Sequence, residues 1–325
     1  MAADRPPADA ERRATARGRT IVIGTEAPEE HRPPAGGRRR GRRDDAGSSE
    51  GGGSGETLRR VVSALPWIAF ALAIVILGGW WFAAGAVVLG VIGLLEFYGM
   101  TARAKPLAPA GIVVLAAALV VAHVSDRPPF HLLLVAAVGF AVLFGVALLE
   151  RPPNGTYAMA TTAFGVLWLG VPLAHAILLR DLEPHGGGLL IDVAVGAFLA
   201  DTAAYAGGRA FGSRQLAPEI SPGKTVEGLA FGIAGGTMAV ALAGLYQDWM
   251  SFGESLVLGV TVATLAPLGD LFESYVKRDL EVKDSGRIVG AHGGLLDRID
   301  GVMFSVVGAY YVVLAYGAFV GGSVS

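Results

Sequence analysis

Residues 61–98 read VVSALPWIAFALAIVILGGWWFAAGAVVLGVIGLLEFY and carry one charged side chain, that of Glu96. An apolar run of about 18 residues is long enough to cross the hydrocarbon core of a bilayer as a helix. Gly78, Gly79 and Trp80 divide this run into two such lengths. We therefore predict a pair of membrane-spanning helices at residues 61–78 and 80–98.

The rest of the chain repeats this pattern of apolar runs, which RPP, GGG and SPG motifs separate. The composition agrees, because 53% of the residues are hydrophobic and 17% are charged, whereas soluble domains have about a quarter charged residues. The absence of cysteine excludes disulfides and thiolate metal sites. We predict an all-α polytopic membrane protein with about nine transmembrane helices. The seven further spans are predicted at residues 107–124, 130–149, 157–178, 188–206, 226–246, 255–275 and 298–320.

The first 58 residues differ in composition from the remainder. Of the 26 Lys and Arg residues, 13 lie in the first 60 positions, and all of these are Arg. Such a segment buries too little apolar surface to offset the entropy lost on ordering. We predict a disordered Arg/Gly-rich cytoplasmic tail at residues 1–58 and a transmembrane catalytic domain at residues 59–325. Contact of Arg38–Arg43 with anionic lipid is an alternative role for the tail, and no motif supports nucleic-acid binding.

Orientation follows from the excess of Lys and Arg in cytoplasmic loops. With a cytoplasmic tail and nine spans, the predicted outside loops hold only Arg127 and Arg180. The inside loops hold Arg103, Lys105, Arg151, Arg209, Arg214, Lys224, Lys277, Arg278, Lys283, Arg287 and Arg298. We therefore expect a cytoplasmic N-terminus, a C-terminus outside, and a location in the cell (plasma) membrane.

Four acids are predicted at the cytoplasmic ends of three spans: Asp201, Asp270, Asp297 and Asp300. Charged residues in membrane helices are costly and usually functional. Asp201 is expected about a turn and a half inside its helix end. Together the carboxylates suit a hard cation such as Mg²⁺, with room for substrate phosphates. A salt bridge of Asp270 and helix capping by Asp297 are the structural alternatives, and Glu96 is interpreted as a solvated side chain.

Residues 283–300, KDSGRIVGAHGGLLDRID, concentrate charge and glycine between two of these spans. Basic side chains there and just before can neutralise phosphate oxygens. The glycines at 286, 290, 293 and 294 permit close approach of backbone N–H groups to a ligand. His292 is interpreted equally as a substrate contact, with phosphate binding or proton transfer as its role, or as a brace for the loop.

Residues 221–225, SPGKT, invite comparison with a phosphate-binding P-loop, but Pro218 stands where the leading glycine is required. Ser221, Lys224 and Thr225 at a helix start still predict an anion site. An ordinary helix N-terminus is the alternative. The residues alone thus predict a metal-assisted phosphate site facing the cytoplasm, for phosphoryl or nucleotidyl transfer.

Residues 274–300, SYVKRDLEVKDSGRIVGAHGGLLDRID, resemble the signature of the phosphatidate cytidylyltransferases (CDP-diacylglycerol synthases). Upstream, DTAAYAGGRAFG and ISPGKTVEG also resemble segments of this family. Val289 replaces a larger apolar residue, and Gly223 stands where the family usually has Lys. The matching positions are Ser274, Lys277, Arg278, Lys283, Asp284, Gly286, His292, Gly293, Gly294, Asp297, Arg298 and Asp300.

The resemblance implies that CTP and phosphatidate react to give CDP-diacylglycerol and pyrophosphate, in phospholipid biosynthesis. It implies Mg²⁺, with a second monovalent cation such as K⁺ and a homodimer left open, and membrane lipids as partners. Asp270 and Asp297 are expected as principal metal ligands, and Asp201 and Asp300 as supporting ones. The expected catalytic residues are Asp270, Asp297, Lys277, Arg278 and Asp300. The expected substrate-binding residues are Ser221, Lys224, Thr225, Ser274, Lys283, Asp284, His292, Gly293, Gly294 and Arg298.

Two other functions stay open at this point. A membrane kinase that uses CTP on a polyprenol or phytol would release CDP instead of pyrophosphate. A transporter would carry acids near the bilayer midplane and repeated halves. The predicted clustering of the acids at one face, without an internal repeat, favours the transferase over the transporter.

Overall fold

The structure is a computed structural model, and it describes residues 69–286 and 294–320, with side chains as far as residue 317. The chain divides into two units, Met1–Gly52 and Gly53–Ser325, and every described residue belongs to the second. The predicted tail therefore lies outside the described residues, together with its boundary at residue 58 and the segment Arg38–Arg43. The division into tail and catalytic domain stays a prediction.

Nine helices account for most of the described residues, which confirms the all-α expectation. Seven of them, α2 and α4 to α9, are long and apolar enough to cross a membrane, whereas α3 has 17 residues. Nine spans and their orientation stay predictions. The helices are α1 (residues 69–77), α2 (Gly79–Met100), α3 (Ala108–Val124), α4 (Pro128–Glu150), α5 (Gly155–Arg180), α6 (Gly186–Phe211), α7 (Val226–Gly244), α8 (Phe252–Asp279) and α9 (Leu296–Val320).

The break between α1 and α2 depends on glycine. Gly78 and Gly79 have φ angles of 61° and 48°, a left-handed conformation that glycine adopts without a Cβ penalty. A Cβ on Gly78 would also collide with the guanidinium of Arg180. Arg180 Nε donates to the carbonyl of Val75 at 2.7 Å, so the end of α5 stabilises the end of α1.

A two-stranded antiparallel hairpin, which the sequence did not predict, connects α6 to α7. Strand β1 covers Gln215–Ala217 and β2 covers Ser221–Thr225. The residues expected at a helix start therefore form a strand, and only Thr225 caps α7, through a 3.0 Å bond from Gly228 N to its Oγ1. Glu227 accepts 3.0 Å and 2.6 Å bonds from the backbone and hydroxyl of Ser213, which fixes the hairpin to α7.

Helices α6 and α7 pack through small residues that bring their backbones close together. A Cβ on Gly232 would lie 2.9 Å from the carbonyl oxygen of Ala200, and one on Gly207 would collide with Phe231. Helix α6 continues through Gly207 and Gly208 to Phe211. Asp201 consequently lies ten residues before the helix end, and its predicted place a turn and a half inside that end is wrong.

Helix α8 also ends later than the predicted span. It begins with a capping box formed by Ser251 and Glu254 and ends at Asp279. Lys277 and Arg278 therefore lie in the last turn of α8 and not in the following loop. Positive charge in the last turn interacts favourably with the helix dipole. This extension carries Lys277 to the start of α9, where it pairs with Asp297.

We predict that Gly236→Leu destabilises the protein by about 1–3 kcal/mol, because overpacking a tight helix contact forces side chains and backbone apart. A Cβ on Gly236 would lie 2.8 Å from the Cβ atoms of both Ala200 and Ala263. The measurement is the apparent thermal midpoint of the detergent-solubilised protein. Gly145→Leu in α4 is the matched control, since nothing lies within 4 Å of a Cβ there. Equal midpoints for the two variants would contradict the packing argument.

Candidate active site

A cavity of about 750 Å³ lies among α6, the hairpin, α7, α8 and α9. One part of its wall is polar and the other is apolar. The apolar wall includes Phe198, Leu229, Pro267 and Val302. The polar wall comprises Asp201, Tyr205, Arg209, Lys224, Thr225, Asp270, Glu273, Lys277, Asp297, Arg298 and Asp300. All four predicted acids therefore share one cavity.

Asp270 on α8 forms an ion pair with Lys224, which the hairpin places opposite it. Lys224 Nζ lies 2.5 Å from Asp270 Oδ2, and both side chains are largely shielded from solvent. Ser274 Oγ, one helical turn further on, donates to Asp270 Oδ1 at 3.3 Å. Asp270 and Ser274 thus share one face of α8, and the salt bridge proposed as the structural alternative for Asp270 is present as well.

Asp297 at the start of α9 forms the second ion pair. Lys277 Nζ lies 2.5 Å from Asp297 Oδ1 and 3.3 Å from Glu273 Oε1. The other oxygen, Asp297 Oδ2, accepts bonds from Ser285 N at 3.2 Å, Ser285 Oγ at 3.0 Å and Gly294 N at 2.8 Å. Asp297 therefore links the first turn of α9 to residues that precede the helix, which is not the capping of the helix's own N–H groups that the alternative expected, and it also faces the cavity.

Glu273 is a cavity residue that the sequence reasoning missed. Its side chain is 1% exposed, and both carboxylate oxygens lack a hydrogen-bond partner among the residues the structure describes. A buried carboxylate without hydrogen bonds is unfavourable. The four-residue spacing from Glu273 to Lys277 on one helix was the available signal.

Glu96 was interpreted wrongly as a solvated side chain. It is 5% exposed, and its carboxylate accepts bonds from Leu295 N at 2.9 Å and Leu296 N at 3.1 Å. Ser285 Oγ also lies 3.4 Å from Glu96 Oε2. These partners lie about 190 to 200 positions away in the chain, so no local pattern could have indicated them.

The remaining predicted site residues lie in different places. Arg298 lines the cavity, whereas Arg278 is exposed and its Nε donates to Ile220 O at 3.1 Å. Arg278 is not among the residues that line the described cavity, and its catalytic role stays a prediction. Lys283 and Asp284 are exposed after α8. Ser221, Ser274, Lys283 and Asp284 do not line the described cavity, and His292 and Gly293 lie outside the described residues.

The donor set fits a hard cation in its chemistry. Carboxylate oxygens are the ligands that divalent cations such as Mg²⁺ prefer, and Glu273, whose oxygens form no hydrogen bond with the described residues, lines the same cavity. Within residues 69–286 and 294–317, however, no three His, Asp or Glu side chains converge closely enough to hold a metal ion. The ammonium groups of Lys224 and Lys277 are the cations in contact with Asp270 and Asp297.

Comparison with known proteins decides the family. A model of the cytidylyltransferase family matches residues 58–316. The chain belongs to the cytidylyltransferase family. The resemblance seen in residues 274–300 is thereby confirmed.

Curated relatives of this cytidylyltransferase carry the name phosphatidate cytidylyltransferase. The relative from Synechocystis is 33% identical over 291 residues, which cover 79% of this chain and 96% of the relative. The relative from Mycobacterium bovis is 34% identical over 164 residues, or 50% of this chain and 53% of the relative. The relative from Bacillus subtilis is 35% identical over 154 residues, which cover 46% of this chain and 56% of the relative. With seven candidate spans, this cytidylyltransferase is a multi-pass membrane protein.

We predict that Glu273→Gln raises the apparent thermal midpoint by about 2–4 °C, equivalent to roughly 1 kcal/mol, and lowers CTP-dependent activity about tenfold. The amide has the same shape and is neutral at every pH, so no charge has to be accommodated at this buried position, while Lys277 keeps its partner Asp297. Scanning fluorimetry and an activity assay measure the two effects. Glu219→Gln, the same change at an exposed position, should alter neither quantity. A lowered midpoint for Glu273→Gln would contradict the interpretation.

Proposed function

We propose that this protein transfers CMP from CTP to phosphatidate and releases CDP-diacylglycerol and pyrophosphate. The observation that carries the proposal is one cavity with a polar wall for phosphates and an apolar wall for a lipid. Phe198 precedes Asp201 by three residues on α6, and Pro267 precedes Asp270 by three on α8. A phosphate and an acyl chain are therefore accommodated one helical turn apart. Membership of the family and the curated relatives support this activity.

Lys224 and Lys277 are positioned to exchange partners when substrate enters. In the present geometry each ammonium neutralises a carboxylate, Asp270 or Asp297. CTP supplies phosphate oxygens that attract both lysines, and the carboxylates are then free to bind a cation. Lysine is suited to this exchange because its ammonium is a compact charge on a flexible stem.

The family implies a divalent cation, and we assign it as Mg²⁺. Asp270 and Asp297 would hold it, with Asp201 and Asp300 in support, and a monovalent ion such as K⁺ could occupy the same cluster of acids. When bound, the cation offsets negative charge on the phosphate oxygens and on the leaving pyrophosphate.

The reaction proceeds by attack of a phosphatidate phosphate oxygen on the α-phosphorus of CTP. A new P–O–P linkage forms, the bond between the α-phosphorus and the bridging oxygen breaks, and pyrophosphate leaves with the electron pair. The attacking oxygen is already anionic, so no side chain needs to remove a proton. Lys224, Lys277 and Arg298 neutralise charge that develops on the phosphates, which is the main catalytic requirement of such transfers.

The orientation and location are also proposed. The bias of Lys and Arg toward one set of loops supports nine spans, a cytoplasmic active site and a plasma-membrane location. CTP then reaches the polar wall from the cytoplasm, while phosphatidate remains in the bilayer. A homodimer is compatible with this arrangement and is not required by it.

We predict that Asp270→Asn lowers CDP-diacylglycerol formation by about 100-fold or more, because it removes a charged cation ligand and the partner of Lys224. The assay uses purified protein, labelled CTP and phosphatidate. Asp192→Asn is the matched control, since Asp192 is buried on the same bundle and accepts a 2.8 Å bond from Gln247 Nε2. An Asn carbonyl keeps that bond, so its activity should stay within about threefold. Near-normal activity of Asp270→Asn would refute the assignment of Asp270.

Removal of divalent cation should abolish product formation, and Mg²⁺ should restore it, because the phosphates would otherwise lack charge compensation. Product analysis in the same assay should find equal amounts of pyrophosphate and CDP-diacylglycerol. Release of CDP, with a phosphorylated lipid alcohol as the acceptor, would instead identify a CTP-dependent lipid kinase. Turnover at the full rate in excess chelator would contradict the proposed use of a cation.

A further inference from the structure

Glu96 is a buried acid on α2 that does not line the cavity, yet its contacts lead into it. The described donors to its carboxylate are Leu295 N at 2.9 Å, Leu296 N at 3.1 Å and Ser285 Oγ at 3.4 Å. The carboxylate thus contacts the chain on both sides of residues 287–293. A charged residue with this burial requires several hydrogen bonds to be tolerated.

The contact to Leu295 and Leu296 supplies a cap that α9 lacks in its own sequence. The first N–H groups of a helix have no partner within the helix, and a Ser, Thr, Asp or Asn at the N-cap normally accepts one of them. Here the residue before Leu296 is Leu295, whose side chain has no acceptor. The Glu96 carboxylate accepts those N–H bonds from another helix, and its charge is favourable to the positive end of the α9 dipole.

Two glycines lie close to the Glu96 carboxylate. A Cβ on Gly286 would lie 2.8 Å from Glu96 Oε1, and a Cβ on Gly294 would lie 2.5 Å from Glu96 Oε2. Both positions therefore require the smallest residue if the chain is to approach Glu96 so closely. The Glu96 side chain therefore fixes the positions of Gly286, which follows α8, and Gly294, which precedes α9.

A continuous series of polar contacts joins Glu96 to the cavity. Ser285 Oγ contacts Glu96 Oε2 and also Asp297 Oδ2, the latter at 3.0 Å. Asp297 Oδ1 in turn contacts Lys277 Nζ. We propose that Glu96 is a positioning residue for nucleotide binding, which acts by fixing the first turn of α9 and thereby the Asp297–Lys277 pair. This inference rests on the proposed function only for its link to CTP.

Glu96→Gln tests the kinetic part of the proposal. The amide keeps the shape and one acceptor oxygen, but it removes the charge and directs an N–H group at a backbone or hydroxyl donor on the other side, so the cap is weakened. Turnover should fall about 10-fold to 100-fold, as for other residues that orient a site from behind. The KM for CTP should rise by a similar factor, whereas the KM for phosphatidate should stay within about twofold because none of the apolar residues that line the described cavity belongs to α2. An unchanged KM for CTP would overturn the proposal.

Thr162→Val is the matched control for general loss of stability. Thr162 is fully buried, and its hydroxyl accepts a 2.8 Å bond from Leu107 N and donates to Ala158 O at 2.7 Å. Its loss should lower the thermal midpoint without a change in either KM. A rise in the KM for CTP in this variant equal to that in Glu96→Gln would show that any buried defect has the effect, and would overturn the proposal.

A second readout needs no substrate. The chain has no cysteine, so Leu295→Cys introduces a single thiol at a position that is 5% exposed. Maleimide labelling of this thiol should be about tenfold faster with Glu96→Gln added, because the α9 N-terminus opens locally more often. Addition of Thr162→Val should not change the rate. Equal rates with and without Glu96→Gln would overturn the positioning role, even if no CDP-diacylglycerol is ever detected.

The two readouts separate this inference from the proposed function. Faster labelling in a protein that forms no CDP-diacylglycerol would leave the capping role in place and refute the reaction. If Glu96→Gln does not yield folded protein, Glu96→Asp is measured in the same way, since its shorter carboxylate keeps the charge but cannot hold both sides of the chain. Labelling of Glu96→Asp at the parent rate would overturn the proposal.

Discussion

The ion pair between Lys277 and Asp297 is the interaction on which the arrangement of the site depends. Two charges largely removed from water are tolerated only when they neutralise each other and their remaining bonding capacity is met. Asp297 meets this condition through Lys277 on one oxygen and through Ser285 and Gly294 on the other. The pair therefore joins α8 to α9 and also fixes the chain on both sides of residues 287–293.

The same principle explains why several acids can share one cavity. Asp270 and Asp297 each have a lysine partner, so these two charges in the described cavity are compensated within the protein. Glu273 is compensated less well, because Lys277 lies 3.3 Å from it without forming a hydrogen bond. Functional sites often retain such unfavourable groups at a cost in stability. A substrate and a cation that redistribute the two lysines would relieve the imbalance.

The sequence predicted the local features well and the tertiary ones poorly. The helices were found to within a few residues because apolar length and turn motifs are local signals, and residues 274–300 indicated the site. The extension of α6 was missed because the contact of Gly207 with Phe231 belongs to α7 packing. Glu96 was missed because its donors lie on α9 and after α8. When distant segments bury a residue, the spacing of its sequence neighbours does not indicate that burial.

The lining of the cavity changes from charged to apolar within one helical turn of α6 and of α8. Asp201 and Asp270 are each preceded, about one turn back along their helices, by Phe198 and Pro267 of the apolar wall. A helix rises about 5.4 Å per turn, which is the scale of a glycerol phosphate group between its phosphate and its acyl chains. A lipid can therefore present its phosphate to Lys224 and Lys277 while its chains remain against apolar residues. A transporter would instead need polar groups to continue along the cavity, and the apolar wall formed by Phe198, Pro267 and Val302 does not provide them.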